Sequence, residues 1–200
     1  MGYTFFDRLV AQCRFRAAFA HLQPGSRVCD VGCGLEADFL RFAGRRIGYG
    51  VGVDYQVSKR ESAVPSIICA DIKGGLPFRS GTFDHAVMLA VLEHLDAPGV
   101  VLNEAFRILV PGGSLIMTWP NAAVDSILAI TRRVGLTSPE MESEGHVARM
   151  PRETLTDLLD HIGFTNYLHQ TFECGLNNLL VAHKPMGVRE IPVALPSSSE

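Results

Sequence analysis

The stretch Val28-Cys29-Asp30-Val31-Gly32-Cys33-Gly34-Leu35-Glu36-Ala37 runs from a short apolar segment into two glycines and then into a helical pattern. A buried strand, a tight turn and a helix account for that order. Gly32 and Gly34 carry no Cβ, so a ligand can approach the backbone at the turn. The helix N-terminus beyond offers unpaired N–H groups and a positive dipole end to an anion. Twenty residues after Gly34, where the next apolar run ends, stands Asp54. A carboxylate there can accept two hydrogen bonds from a ribose diol.

The same alternation of apolar runs and helical segments extends in both directions. Strands are expected over 27–31, 49–53, 67–70, 83–89, 114–119, 165–173 and 177–183. Helices are expected over 5–22 and 36–43, and between the fourth and fifth strands. This last helix has Asp96 as its cap, Pro98 just inside, and Val101, Ala105, Ile108 and Leu109 as its stripe. Pro151 opens a further helix, with Leu155, Leu158, Leu159 and Ile162 on one side. Continuously apolar strands alternating with helices imply a sheet covered on both faces. The fold class is therefore α/β, a doubly wound, seven-stranded, mostly parallel sheet whose strand ends share one ligand-binding edge. The chain reads as one domain over 1–184, beginning with a helical segment within 1–24. A polar stretch at 120–150, which includes a helical pattern at 124–134, reads as a lid, and 185–200 as a flexible tail.

Two hundred residues at 47% hydrophobic and 20% charged suit one globular unit that needs no staples. A net charge of −3, with acids and bases mixed, argues against a broad nucleic-acid footprint. The five scattered cysteines form no CxxC pair, and no histidine stands at zinc spacing, so free thiols and no metal are expected. Neither a leader nor a membrane span is evident, which makes the cytoplasm the expected location. The first helix places Arg8, Arg14 and Arg16 opposite its apolar residues. Packing on the chain's own sheet is its expected role, with peripheral membrane contact as the alternative.

The glycine turn alone leaves two readings open, because Gly32-x-Gly34-x-x-Ala37 also satisfies the nicotinamide-dinucleotide fingerprint. The surrounding residues separate them. Asp30 puts a carboxylate at the strand end where a ligand ammonium can sit, and the methionine part of adenosylmethionine has one while a nicotinamide dinucleotide does not. Asp71-Ile72 follows the third strand, within reach of an adenine amino group. Then come Leu76-Pro77-Phe78, Phe83-Asp84, Leu92-Glu93-His94 and Arg107-Ile108-Leu109-Val110-Pro111-Gly112-Gly113.

With these motifs in this order, residues 27–121 closely resemble the class I S-adenosylmethionine-dependent methyltransferases, in particular their small-molecule branch. The resemblance implies a Rossmann-like sheet whose last strand is antiparallel, with S-adenosyl-L-methionine as cofactor and S-adenosyl-L-homocysteine as product. It implies that Asp30, Gly32, Cys33, Gly34 and Asp54 hold the methionyl and ribose parts and that Asp71 and Ile72 flank adenine. Tyr55 and Leu89 join them as cofactor contacts. Leu76-Pro77-Phe78 is expected to be structural, Phe83-Asp84 to set the start of the fourth strand, and Pro111-Gly112-Gly113 to be a turn. One departure stands out: Glu36 replaces the family's third glycine, and its side chain is expected to point outward.

An oxygen nucleophile benefits from a general base, and His94 and His146 are the candidates. Trp119 either walls the acceptor pocket or packs in the core. His21, His85, His161, His169 and His183 look incidental. The expected acceptor is a small molecule, a sugar or a lipid intermediate. A non-catalytic adenosylmethionine-binding partner is the alternative, and a nicotinamide oxidoreductase the third reading.

Overall fold

The computed structural model describes residues 5–56, 66–121 and 151–187. Its strands are β1 (Arg27–Val31), β2 (Tyr49–Asp54), β3 (Ser66–Cys69), β4 (Phe83–Leu89), β5 (Leu109–Pro120), β6 (Thr165–Phe172) and β7 (Asn177–His183). They form one sheet in the order β3-β2-β1-β4-β5-β7-β6. The pairs from β3 through to β5 are parallel. Strand β7 enters between β5 and β6 and runs antiparallel to both. The fold class and the antiparallel last strand stand as expected.

Helices α1 (Phe5–Phe19) and α2 (Asp38–Ala43) cover one face of the sheet, and α3 (Pro98–Ile108) and α4 (Arg152–Ile162) the other. Each face has its own core. Phe15, Phe39, Leu40, Val87, Ile116 and Leu179 lie under α1 and α2. Under α3 and α4, Phe106 and Phe164 meet edge-on at 4.9 Å among Val101, Leu102, Leu155 and Leu159.

Several boundaries differ from the expected ones, each for a local reason. Helix α1 ends at Phe19 rather than 22, because the chain tightens into i→i−3 bonds from His21 N–H to Ala18 and from Leu22 N–H to Phe19. Arg14 does not join Arg8 and Arg16 on the outside. It shares a helical line with Val10 and the fully buried Ala18, and its Nε is buried. Helix α2 begins at Asp38 rather than 36, since Ala37 takes a left-handed φ of 48°. Asp96 does not cap α3. Ala97 holds that position, and Asp96 pairs with Lys73 at 2.6 Å. Pro111-Gly112-Gly113 is not a turn ahead of the fifth strand but an irregularity inside it: Phe83 pairs with Leu109, and His85 already with Ser114.

The motifs outside the glycine turn act largely as fasteners. Arg107 donates to the carbonyls of Phe78 and Leu76 and to Glu104, whose Oε2 also accepts from Leu76 N–H at 2.7 Å. The Leu76-Pro77-Phe78 loop is thereby tied to α3. Asp84 accepts from the backbone N–H and the guanidinium of Arg27, clamping the starts of β1 and β4 together. His85 is structural rather than incidental. Its Nε2 accepts from Gln23 N–H at 3.2 Å, so Nδ1–H faces Ser114 Oγ at 2.7 Å, and burial lowers its pKa.

Candidate functional site

Because β1, β2, β3, β4 and β5 are parallel neighbours, everything that follows their C-terminal ends is brought to one edge. The glycine turn after β1 is fixed from β2. Gly32 N–H and Cys33 N–H both reach Val53 O, at 2.8 and 3.2 Å, and Gly34 N–H donates to Asp54 Oδ2 at 2.8 Å. Asp54 Oδ1 accepts from Gln56 N–H at 3.1 Å. A carboxylate has about four lone-pair sites, so Asp54 can hold the turn and still accept from a ligand.

The glycines are required here on steric grounds. Gly32 has φ +74°, and a Cβ on it would lie 2.6 Å from Val91 Cγ2. Gly34 has φ +70° with open space where a Cβ would stand, which leaves its backbone approachable. Cys33 turns its side chain down onto Gly52, whose added Cβ would meet Sγ at 2.5 Å. The Cys33 thiol is pushed well above its ordinary range, by burial first and by Asp30 and Asp54 next.

Asp30 is 2% exposed beside this turn. Burial, with the charge of Asp54 added, raises its carboxyl to about 7. A buried acid poised in this way favours a cationic neighbour. Glu36 turns toward Arg41 of α2, with an ion-pair distance of 3.4 Å.

The remaining predicted residues sit along the same edge. Tyr55 is exposed just after β2. Asp71 follows β3, and its Oδ1 caps the next turn by accepting from Lys73 N–H at 3.0 Å. Ile72 is half-buried against the α3-side core, and Leu89 ends β4 against the α1-side core. Ala90, the next residue, holds a left-handed φ of 57° and donates its N–H to Thr118 O at 3.0 Å. Strained non-glycine backbone of this kind collects at functional edges. His94 closes the single turn Leu92–His94, half-buried. Trp119 is core, its ring tilted against that of His169 at 6.0 Å, and His169 Nε2 lies 3.1 Å from Asn178 Oδ1. His146, most of the expected lid and most of the tail lie outside the described residues.

Sequence reasoning missed four polar residues near this edge: Arg14, Thr118, Glu173 and Asn177. Each has a buried atom without a hydrogen-bond partner. A lone threonine in the apolar run Leu115–Trp119 was the available signal.

The chain is similar to several known methyltransferases. A Mycolicibacterium smegmatis protein named as a probable S-adenosylmethionine-dependent methyltransferase is 30% identical over 154 residues, covering 72% of this chain and 54% of that relative. The chain thus spans about half that relative's length. The ubiquinone/menaquinone biosynthesis C-methyltransferase UbiE of a Ruegeria species is 26% identical, covering 72% of the relative and 77% of this chain. A solved S-adenosylmethionine-dependent methyltransferase from Archaeoglobus fulgidus shares the fold, with a TM-score of 0.69 at 17% identity over 88% of this chain and 94% of that one. The family profile described as a methyltransferase domain matches residues 6–169, and the chain belongs to that family.

Proposed function

We propose that the chain is an S-adenosylmethionine-dependent methyltransferase acting on a small-molecule or lipid-intermediate acceptor. The observation that carries this reading is the pairing of two carboxyls with one open glycine turn. Asp54 secures the turn with acceptor capacity to spare, and Asp30 lies buried behind it. Those groups fit the ribose and the ammonium of the cofactor. When bound, the cofactor supplies a methyl carbon activated by its own sulfonium. The protein's task is then to orient the acceptor and exclude water. Glu36, the departure from the family's third glycine, points back toward Arg41 in support of an intact site. Parallel calorimetric titration with S-adenosylmethionine, S-adenosylhomocysteine and NAD is the test. Micromolar binding of the adenosyl ligands alone is expected, and binding of NAD instead would return the nicotinamide reading.

The buried Asp30 makes that binding pH-dependent. Its folded pKa is raised, so its contribution to stability is complete below the ordinary carboxylate value of about 4 and is lost as pH rises through about 7. A ligand ammonium favours the ionised form. Affinity for S-adenosylhomocysteine should therefore climb between about pH 5 and 7, by up to about tenfold per unit. Asp30→Asn should flatten both the binding profile and the stability profile, as read by calorimetry and by urea midpoints across pH.

Names among the relatives range from quinone and sterol methylation to an 18S rRNA (guanine-N(7))-methyltransferase. The surface formed by α1 and α2 favours a lipid acceptor. Residues 5–46 carry seven arginines against four acids, in a chain of net charge −3. Phe42 is 41% exposed, against Phe15 and Phe19, and Leu9 on the adjoining face of α1 is 48% exposed. Exposed Arg8, Arg16 and Arg45 accompany them. Arginines around exposed apolar side chains suit an anionic lipid surface, each worth about 1 kcal/mol there. No helix of the described residues is long and apolar enough to cross a membrane. Co-sedimentation with vesicles containing phosphatidylglycerol is expected at low salt, and loss of it in high salt and in Phe42→Ser/Arg16→Glu. Binding of tRNA with no vesicle binding would favour a nucleic-acid acceptor.

A further inference from the structure

Beneath α1 the sheet edge holds polar atoms that the fold itself leaves unsatisfied. Thr118, near the end of β5, is 0% exposed, and its Oγ1 has no hydrogen-bond partner. Asn177 opens β7 at 3% exposure. Its Nδ2 donates to Glu173 Oε2, while its Oδ1 receives nothing. The other carboxylate oxygen of Glu173, Oε1, is likewise buried without a donor. On the helix above, Arg14 Nε is a buried donor without an acceptor. Buried polar groups almost always find partners, and an unsatisfied one costs about 1–3 kcal/mol. Four in one neighbourhood call for a common cause.

Register brings Thr118 and Asn177 together. Thr118 stands opposite Leu179, and Pro120 opposite Asn177. Thr118 and Asn177 are therefore diagonal neighbours on adjacent strands, about 7–8 Å apart and on one face. That face also carries Ile116, Leu179 and Val181, the core under α1. Glu173 is bonded to Asn177. Its carboxylate also accepts a hydrogen bond from the Cys13 thiol of α1, and after burial its charge and that bond push the thiol up. Arg14 follows Cys13 and lies on the sheet-facing line of the helix. Leu89, at the end of β4, is opposite Thr118, and the other neighbour of β4 is β1 with its glycine turn. The group thus sits one strand beyond the edge assigned to the cofactor.

We propose that Arg14, Thr118, Glu173 and Asn177 form the acceptor subsite and that it receives a hydroxyl group of the methyl acceptor. The inference rests on the methyltransferase reading above. A hydroxyl matches because the subsite offers donors and acceptors together, Arg14 Nε–H and the Thr118 hydroxyl with Asn177 Oδ1 and Glu173 Oε1. Arg14 Nε–H donates to the hydroxyl oxygen, and the hydroxyl proton is donated to Thr118 Oγ1, Asn177 Oδ1 or Glu173 Oε1. An ether or a ketone brings no proton for those oxygens, and an ammonium has no lone pair for Arg14.

The test loads the full chain with S-adenosylhomocysteine and titrates it with phenol and with anisole, which differ by the one donor. Phenol should bind about tenfold more tightly, the worth of one hydrogen bond. In Thr118→Val and in Glu173→Gln that ratio should shrink toward unity, while affinity for S-adenosylhomocysteine stays at the wild-type value. Thr118→Val, which replaces an unpartnered hydroxyl with a methyl, should melt no lower than the wild type. Equal affinities for the two probes, no detectable phenol binding, or a preference that survives in both variants would overturn the subsite. So would a melting temperature several degrees lower in Thr118→Val, which would reveal an internal partner for the hydroxyl. Failure of the wild type to bind S-adenosylhomocysteine would instead overturn the cofactor reading beneath it.

Discussion

Asp54→Ala should weaken S-adenosylhomocysteine binding by about 100-fold or more. Hydrogen bonds to a charged acceptor contribute about 1.5–3 kcal/mol each, and tenfold in affinity corresponds to about 1.4 kcal/mol. Two such bonds to a ribose diol already span that loss. The carboxylate also accepts from Gly34 N–H and Gln56 N–H, so its removal frees the turn as well as the ligand. The melting temperature should therefore fall together with the affinity. Asp54→Asn keeps an acceptor but turns an amide N–H₂ toward one of those donors, and should fall between the two. Calorimetric titration and thermal melts on the three proteins read the series. Wild-type affinity in Asp54→Ala would place the ribose elsewhere.

Gly32→Ala should lower the free energy of unfolding by about 2–5 kcal/mol, from two separable causes. A non-glycine residue at φ +74° costs about 1–2 kcal/mol, and forcing a methyl into packed surroundings about 1–3 kcal/mol. The clash is with Val91, whose Cγ2 would lie 2.6 Å from the new Cβ. Val91→Ala removes the clashing methyls and leaves the dihedral strain. The double variant should thus be less destabilised than the sum of the singles, by about 1 kcal/mol or more. Urea midpoints supply the cycle. Strict additivity would mean that the loop carrying Val91 moves aside without cost.

Asp54 and Gly32 illustrate what could be read from the chain alone. The order strand, glycine turn, helix and second-strand acid is local, and each step has a sequence mark, so the fold class and the Asp54 position were legible. The reason for Gly32 was not, because Val91 is remote in sequence and arrives through the β1–β4 pairing. The same holds for Gly52, which makes room for Cys33. Helix edges erred where side-chain rules met tertiary demands. Asp96 had the chemistry of a cap, but Lys73 lies beside it. Arg14 read as outer surface because charge usually lies there, yet its position between Val10 and Ala18 turns it inward. The acceptor-side residues were the least legible. Thr118, Glu173 and Asn177 come from β5, β7 and the connection ahead of β7, and only the antiparallel insertion of β7 makes them neighbours.

That insertion also has a consequence for biosynthesis. Strand β5 is paired on one side by β4 as soon as both have emerged from the ribosome, but its other side waits for residues 177–183. Until then a run as apolar as Leu115-Ile116-Met117 presents an open row of N–H and C=O groups, the kind of edge on which nascent chains join one another. Strand β6, made earlier, does not cap it, because its place lies one strand further out. The sheet is therefore sealed from its interior last, and a ribosome stalled shortly before Asn177 would hold a nearly complete domain with its stickiest edge exposed.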